Sequence, residues 1–246
     1  MRVYGIHPIL EALRAKRVTA LLVAERQAAG ERDRLAGVVE LAEAQGVPVR
    51  RVGAGELARL AHGGAHQGAV ADLRGPGVVS LEDLVAGAGP APLIVVLDQI
   101  EDPQNVGAIL RTVDAAGAAG VIRQSRHAAR LNGAAAKASA GAVAHVRIVD
   151  VVNIARALEE LKTAGIWTVG LAGDGGKRYD ELDLTLPTAL VLGAEGAGLR
   201  RLVRERCDWL ASIPMQGHVG SLNVSVAAGI ALFEAVRQRR RSGGGR

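Results

Sequence analysis

The residues best equipped for chemistry fall in three stretches of the second half of the chain. The first reads Asp102-Pro-Gln-Asn-Val-Gly-Ala-Ile-Leu-Arg111 and the second Leu192-Gly-Ala-Glu-Gly-Ala-Gly-Leu199. The third runs from Ile213-Pro-Met through Gly217-His to Ser221-Leu-Asn-Val-Ser-Val-Ala227. Each follows an apolar, strand-like run and places amide, carboxylate, guanidinium or hydroxyl groups at a junction. In parallel α/β sheets ligands bind beyond the carboxyl ends of strands, against loops and helix N-termini. Three polar loops of the same sense therefore point to one ligand site.

Taken singly, each polar residue has an ordinary explanation. Asn105 precedes the apolar-periodic segment 106–116 and would cap it. Arg111, six residues further on the same helix, would be a surface arginine. Glu195, set among Gly193, Gly196 and Gly198, would be a turn residue or an acidic residue favoured by a helix dipole. Ser221 and Asn223 would each cap the last helix. None of these readings explains why such residues gather at three like-oriented loops.

Other chemistries lack their patterns. The glycine runs at 170–176 and 193–198 do not give G-x-G-x-x-G opening a helix, and a phosphate-binding P-loop is absent. His62 and His66 are four apart, but Gly63 and Gly64 lie between them and no Glu follows the first, so no metal site is expected. No G-x-S-x-G elbow occurs.

The elements that must position the loops are α/β in type. Apolar residues make up 49% of the 246 and aromatics 2%, which suits Val-, Leu- and Ile-rich strands packed against Ala-rich helices. Residues 1–73 alternate: helix 8–15, strand 20–24, helix 32–45, strand 47–52, helix 54–61 and strand 68–73. Residues 74–92, broken by Gly and Pro at both ends, read as a linker. From residue 93, strands are expected at 93–97, 120–122, 143–149, 165–171, 189–192 and 209–213, with helices between most of them and so a mostly parallel sheet. The single cysteine, Cys207, and an N-terminus without an apolar core lead to a cytoplasmic expectation. The longest apolar stretches are too short for a bilayer. A net charge of +5 and a pI near 10.0 fit a nucleic-acid partner, although Arg237 to Arg241 read more simply as a solvated helix end.

At these three stretches the chain resembles the SpoU/TrmH group of SPOUT RNA 2′-O-ribose methyltransferases, most closely the RlmB-like members that modify large-subunit (23S) rRNA. Gly5-Ile-His-Pro with Glu11-Ala-Leu13, and His66-Gln-Gly68, are similar to signatures of the family's substrate-binding domain, which is related to ribosomal protein L30e. The resemblance implies an L30e-like RNA-binding domain at 1–73, a linker at 74–92, and a SPOUT domain at 93–246 whose sheet ends in a deep trefoil knot. It implies S-adenosylmethionine as cofactor, held by Gly193, Ile213 and Leu222, and a catalytic set of Asn105, Arg111, Glu195, Ser221 and Asn223. It also implies a homodimer that completes the site, with which the small residues Ala227, Ala228, Gly229 and Ala231 are compatible.

Methyl transfer from a sulfonium to a hydroxyl needs alignment in a partly dry pocket more than a strong base. A guanidinium is a poor general base, so Arg111 is expected to anchor a phosphate and stabilise negative charge on the ribose oxygen. Tyr4 is the only aromatic of the first 73 residues, so RNA contacts there are expected from Arg14, Lys16 and Arg17. The segment Arg126-His-Ala-Ala-Arg-Leu-Asn-Gly133 lies outside the shared motifs, where target choice would differ. Two alternatives stand beside this reading: methylation of tRNA or another rRNA nucleotide, including a resistance role, and a noncatalytic RNA-binding or ribosome-assembly function.

Overall fold

The structure, a computed structural model, describes residues 1–25, 32–74, 79–129, 131 and 133–242. The chain begins β1 (Arg2–Tyr4), α1 (Ile6–Arg14), β2 (Val18–Ala24), α2 (Arg32–Ala44), β3 (Val49–Val52), α3 (Ala54–Leu60) and β4 (Ala69–Leu73). It continues α4 (Leu81–Ala86), β5 (Leu93–Asp98), α5 (Pro103–Ala115), β6 (Gly120–Gln124), α6 (Gly133–Ala138), β7 (Ile148–Val151) and α7 (Ile154–Thr163). It ends β8 (Trp167–Leu171), β9 (Lys177–Arg178), β10 (Thr188–Gly193), α8 (Arg201–Arg206), β11 (Trp209–Ser212) and α9 (Val224–Ser242). Two compact units result. One comprises Met1–Gly77, Val106–Arg111 and Arg130–His145; the other comprises Val78–Asn105, Thr112–Ala129 and Val146–Arg246.

The first unit holds a four-stranded sheet of order β1-β4-β2-β3, with β2 and β3 parallel and β4 antiparallel to β1 and β2. Helix α1 buries Ile6, Ile9, Ala12 and Leu13, a stripe three and four residues apart that drives it onto the sheet. Its start explains the two N-terminal signatures. Gly5 has φ 91°, a backbone state that side-chain-bearing residues seldom adopt, and its N–H donates to Ala69 O at 3.2 Å. Gln67 Oε1 accepts from Ile6 N at 3.1 Å, satisfying an otherwise orphan donor of the first turn. Close approach also fixes Gly107 of α5, where a Cβ would come within 2.4 Å of Ala138 Cβ on α6.

The second unit is built on a seven-stranded sheet of order β7-β6-β5-β10-β8-β11-β9, every pairing parallel, as expected. All six residues of β5 are buried, as a strand covered on both faces requires. Ile94, Val96, Ile122, Leu158, Leu161 and Val191 share one core cluster, and each such side chain contributes about 1.5–3 kcal/mol when fully buried.

Besides the short strands β1 and β9, which the sequence reading does not include, two segments differ from expectation. Within the proposed linker, α4 forms behind a capping box: Ser80 Oγ accepts from Asp83 N at 3.0 Å and Asp83 Oδ2 accepts from Ser80 N at 3.3 Å. Leu81 and Leu84 bury its inner face. The strand expected from 143 begins only at Ile148, because Ala142–Ala144 turn as a 3₁₀ helix after Gly141 at φ 93°. Among the described residues no helix is long and apolar enough to cross a membrane.

Candidate functional site

The three loops leave carboxyl ends of strands in the second unit, and hydrogen bonds tie them together. Asp98 closes β5, and Asp102 then caps α5, its Oδ1 accepting from Gln104 N at 3.0 Å, with Pro103 in the first helical turn. Asn105 is therefore inside the helix and not its cap, which corrects the capping reading. Its side chain is 7% exposed; Nδ2 donates to Glu195 Oε1 at 2.9 Å, and Oδ1 accepts from Asn223 Nδ2 at 2.9 Å.

Glu195 owes its place to glycine. A Cβ at Gly193 would lie 2.2 Å from the Gly198 carbonyl carbon and 2.4 Å from Leu199 N, so only glycine lets the chain double back there. Gly198 N donates to Ala194 O at 2.8 Å, and Gly196 and Gly198 adopt positive φ. The exposed Glu195 sits in this tight turn, with Oε1 accepting from both Asn105 and Asn223.

Asn223 fulfils its capping expectation and joins the site as well. Its Oδ1 accepts from Ser225 N at 2.9 Å and Ser225 Oγ at 2.6 Å at the start of α9, while Nδ2 donates to Glu195 Oε1 at 2.7 Å. Ser221 does not cap: it is exposed and has no hydrogen bond among the described residues. Arg111 lies about 9 Å along α5 from Asn105. It is exposed and, among the described residues, its side chain takes part in no hydrogen bond or ion pair.

Gly193 ends β10 and Ile213 directly follows β11; these strands flank β8, which sets their ends about 10 Å apart. From Met215 to Leu222 no backbone N–H donates to another described residue. The same stretch carries Val219 and Leu222, 75% and 37% exposed. Free main-chain donors beside uncovered apolar side chains fit a ligand with an apolar ring and polar ends, such as S-adenosylmethionine. Among the described residues no group of three or more His, Cys, Asp or Glu could hold a metal ion.

Sequence reasoning passed over a buried cluster that fixes the second loop. Asp98 is 0% exposed; its Oδ1 accepts from Arg200 Nε at 2.7 Å and its Oδ2 from Arg200 N at 2.9 Å. Arg200 Nη2 also donates to Gln124 Oε1 at 2.9 Å. The loop that bears Glu195 is thereby clamped at its far end to the ends of β5 and β6. The one available signal was a carboxylate closing the otherwise apolar run Leu93–Asp98.

The expected RNA contacts of the first unit divide. Arg17 donates to the carbonyls of Val143, Ala144 and Arg74 at 3.2, 3.1 and 3.3 Å, and burial lowers its pKa, so it is a structural tie rather than a free phosphate ligand. Arg14 pairs with Glu11. Lys16 is exposed and, among the described residues, unpaired.

Comparison with known proteins accounts for both halves. The SpoU rRNA methylase family matches residues 92–233, and the RNA 2′-O ribose methyltransferase substrate-binding family matches residues 2–77. A 23S rRNA (guanosine-2′-O-)-methyltransferase RlmB of Pseudomonas aeruginosa is 46% identical over 244 residues, covering 97% of this chain and 96% of the relative. The SpoU methyltransferase AviRb of Streptomyces viridochromogenes, solved in complex with the cofactor AdoMet, is 30% identical with a TM-score of 0.79, covering 99% of this chain and 91% of that one. A TrmH/SpoU tRNA modifying enzyme of A. aeolicus is 34% identical with a TM-score of 0.56, and its match covers 66% of this chain and 84% of that one.

Proposed function

The chain belongs to the SpoU rRNA methylase family and is an S-adenosylmethionine-dependent RNA 2′-O-ribose methyltransferase, and we propose that its acceptor is a guanosine of 23S rRNA. The observation that carries the catalytic reading is the Asn105–Glu195–Asn223 triangle, which ties three loops from distant parts of the sequence. The target rests on the near full-length likeness to RlmB of Pseudomonas aeruginosa, whereas the likeness to the tRNA modifying enzyme covers only 66% of the chain.

S-adenosylmethionine supplies an electrophilic methyl group on a sulfonium. In our reading the main chain at Gly193 and Ile213 and the apolar side chain of Leu222 hold that cofactor. Asn105, Glu195 and Asn223 hold the loops in register, and Ser221 lies on the same exposed stretch as Leu222. Arg111, with no partner of its own among the described residues, binds the phosphate beside the acceptor ribose and stabilises charge developing on the 2′-oxygen. The hydroxyl proton leaves to solvent.

Residues 1–73 dock RNA, 74–92 connect, and 93–246 form the catalytic domain, with the C-terminal strands tied in a trefoil knot. Support for the knot is the sheet order, in which β10 lies between β5 and β8. The working unit is a cytoplasmic homodimer. Val226 and Phe233, each 49% exposed, lie seven residues apart and so on one face of α9, the pattern of an unfilled helix interface.

The test is transfer of labelled methyl from S-adenosylmethionine to unmodified 23S rRNA, with bulk tRNA in parallel. Labelling of rRNA alone supports the assignment; labelling of tRNA alone moves the substrate, and absence of both transfer and calorimetric cofactor binding would favour a noncatalytic RNA-binding role.

A further inference from the structure

The segment after β6 belongs to none of the three loops, yet its placement brings it beside the first. Strands β5 and β6 are adjacent and parallel, with Leu97 opposite Arg123, so the loops leaving their carboxyl ends run side by side. The β6 loop is also fixed. Ser125 N donates to Val151 O at 2.8 Å and Ala129 N to Ile100 O at 3.1 Å. Arg123 Nη1 donates to Ala129 O at 2.6 Å while its Nε lies 2.7 Å from Asp150 Oδ1.

Between these anchors Arg126 and His127 are exposed. His127 holds φ 52°, a left-handed state that is uncommon for a residue with a side chain and persists when surrounding structure imposes it. Arg126 takes part in no hydrogen bond or ion pair among the described residues, whereas Arg156, Arg178, Arg201, Arg204, Arg206 and Arg237 all meet carboxylates. Neither neighbouring carboxylate of the first loop pairs with Arg126: Glu101 lies 3.6 Å from His127 Nδ1, and Asp102 Oδ1 accepts from Gln104 N. A free guanidinium on a fixed loop, next to the segment leading to Asn105, has the chemistry to hold a phosphodiester.

We propose that residues 125–129 form an RNA contact in which Arg126 binds a backbone phosphate flanking the acceptor nucleotide. The proposal rests on the RNA-methyltransferase reading and adds a contact outside its motifs. Because the loop is held by main-chain and Arg123 contacts, replacing the Arg126 side chain leaves those anchors in place.

The experiment is filter binding of a 23S rRNA transcript over a range of salt concentrations, with methyl transfer measured on the same preparations. Arg126→Ala is expected to weaken RNA binding about tenfold and to flatten the slope of log affinity against log salt by about one, while Arg126→Lys keeps the slope. Cofactor affinity by calorimetry should be unchanged in both. An Arg126→Ala protein with wild-type affinity and slope, or one that loses cofactor binding as well, would overturn the contact. A wild type that binds RNA with a slope lowered by Arg126→Ala, yet transfers no methyl, would keep the contact and remove the methylation reading.

Discussion

Asn223 and Glu195 meet at 2.7 Å, side-chain amide to carboxylate, and the same Asn223 caps α9 through Ser225. One residue thus locks the start of the last helix to the loop after β10. Asn105 closes the triangle from α5, so a shift of any one loop disturbs the other two.

Replacing Glu195 should show this. In Glu195→Ala the amide of Asn105, almost fully buried, loses its acceptor, at a cost of about 1–3 kcal/mol. Methyl transfer should fall about tenfold or more for each 1.4 kcal/mol by which alignment suffers. Glu195→Gln, which retains an acceptor oxygen, should lie between Glu195→Ala and wild type in both urea unfolding and rate. Equal stability of Glu195→Ala and wild type would contradict the coupling.

Much of this arrangement was legible in the sequence. The strand runs at 93–97, 189–192 and 209–213 fall within a residue or two of β5, β10 and β11, because apolar runs between Gly and polar breaks leave little choice. The three loops follow from them. β1 and β9 escaped, being three and two residues long, too short to show alternation. Helix α4 escaped because flanking Gly and Pro masked its Ser80–Asp83 box. The cap of α5 was misplaced at Asn105 although Asp102 followed by Pro103 is the stronger signal. Arg17 illustrates what no local pattern reveals: its carbonyl partners lie 57 to 127 residues away.

Asp98 supports the site from below. Removing one partner of a buried ion pair costs about 3–5 kcal/mol, and because the Arg200 side chain is 38% exposed, Asp98→Ala should lose about 2–3 kcal/mol. Asp98→Asn should lose less, since an acceptor oxygen remains for Arg200. Urea unfolding compares the two; a stability unchanged in Asp98→Ala would show that the clamp contributes nothing.

Cys207 gives a pH signature. Burial pushes its thiol up from 9.0 to about 12. The unfolded chain releases this proton above about pH 9 while the folded chain keeps it, so the contribution is fully present below pH 9 and is lost as pH rises toward 12. Relative to Cys207→Ala, wild-type stability should drop by about 1.4 kcal/mol between pH 8 and pH 10. Parallel curves for the two proteins would mean that the thiol ionises freely in the fold.

The exposed face of α9 bears on assembly. On the proposed homodimer, in which a second copy would complete the site, Phe233→Asp should shift the protein from dimer to monomer in light scattering and reduce methyl transfer. A monomeric wild type with full activity would remove the dimer from the account.

The most direct test of the central claim is to map ribose methylation on unmodified 23S rRNA after incubation with S-adenosylmethionine and either wild type or Arg111→Ala. The account predicts one 2′-O-methylated guanosine with wild type, and a loss of that signal with Arg111→Ala while cofactor binding persists. Methylation on a base, or a guanosine 2′-O-methylated equally by both proteins, would contradict it.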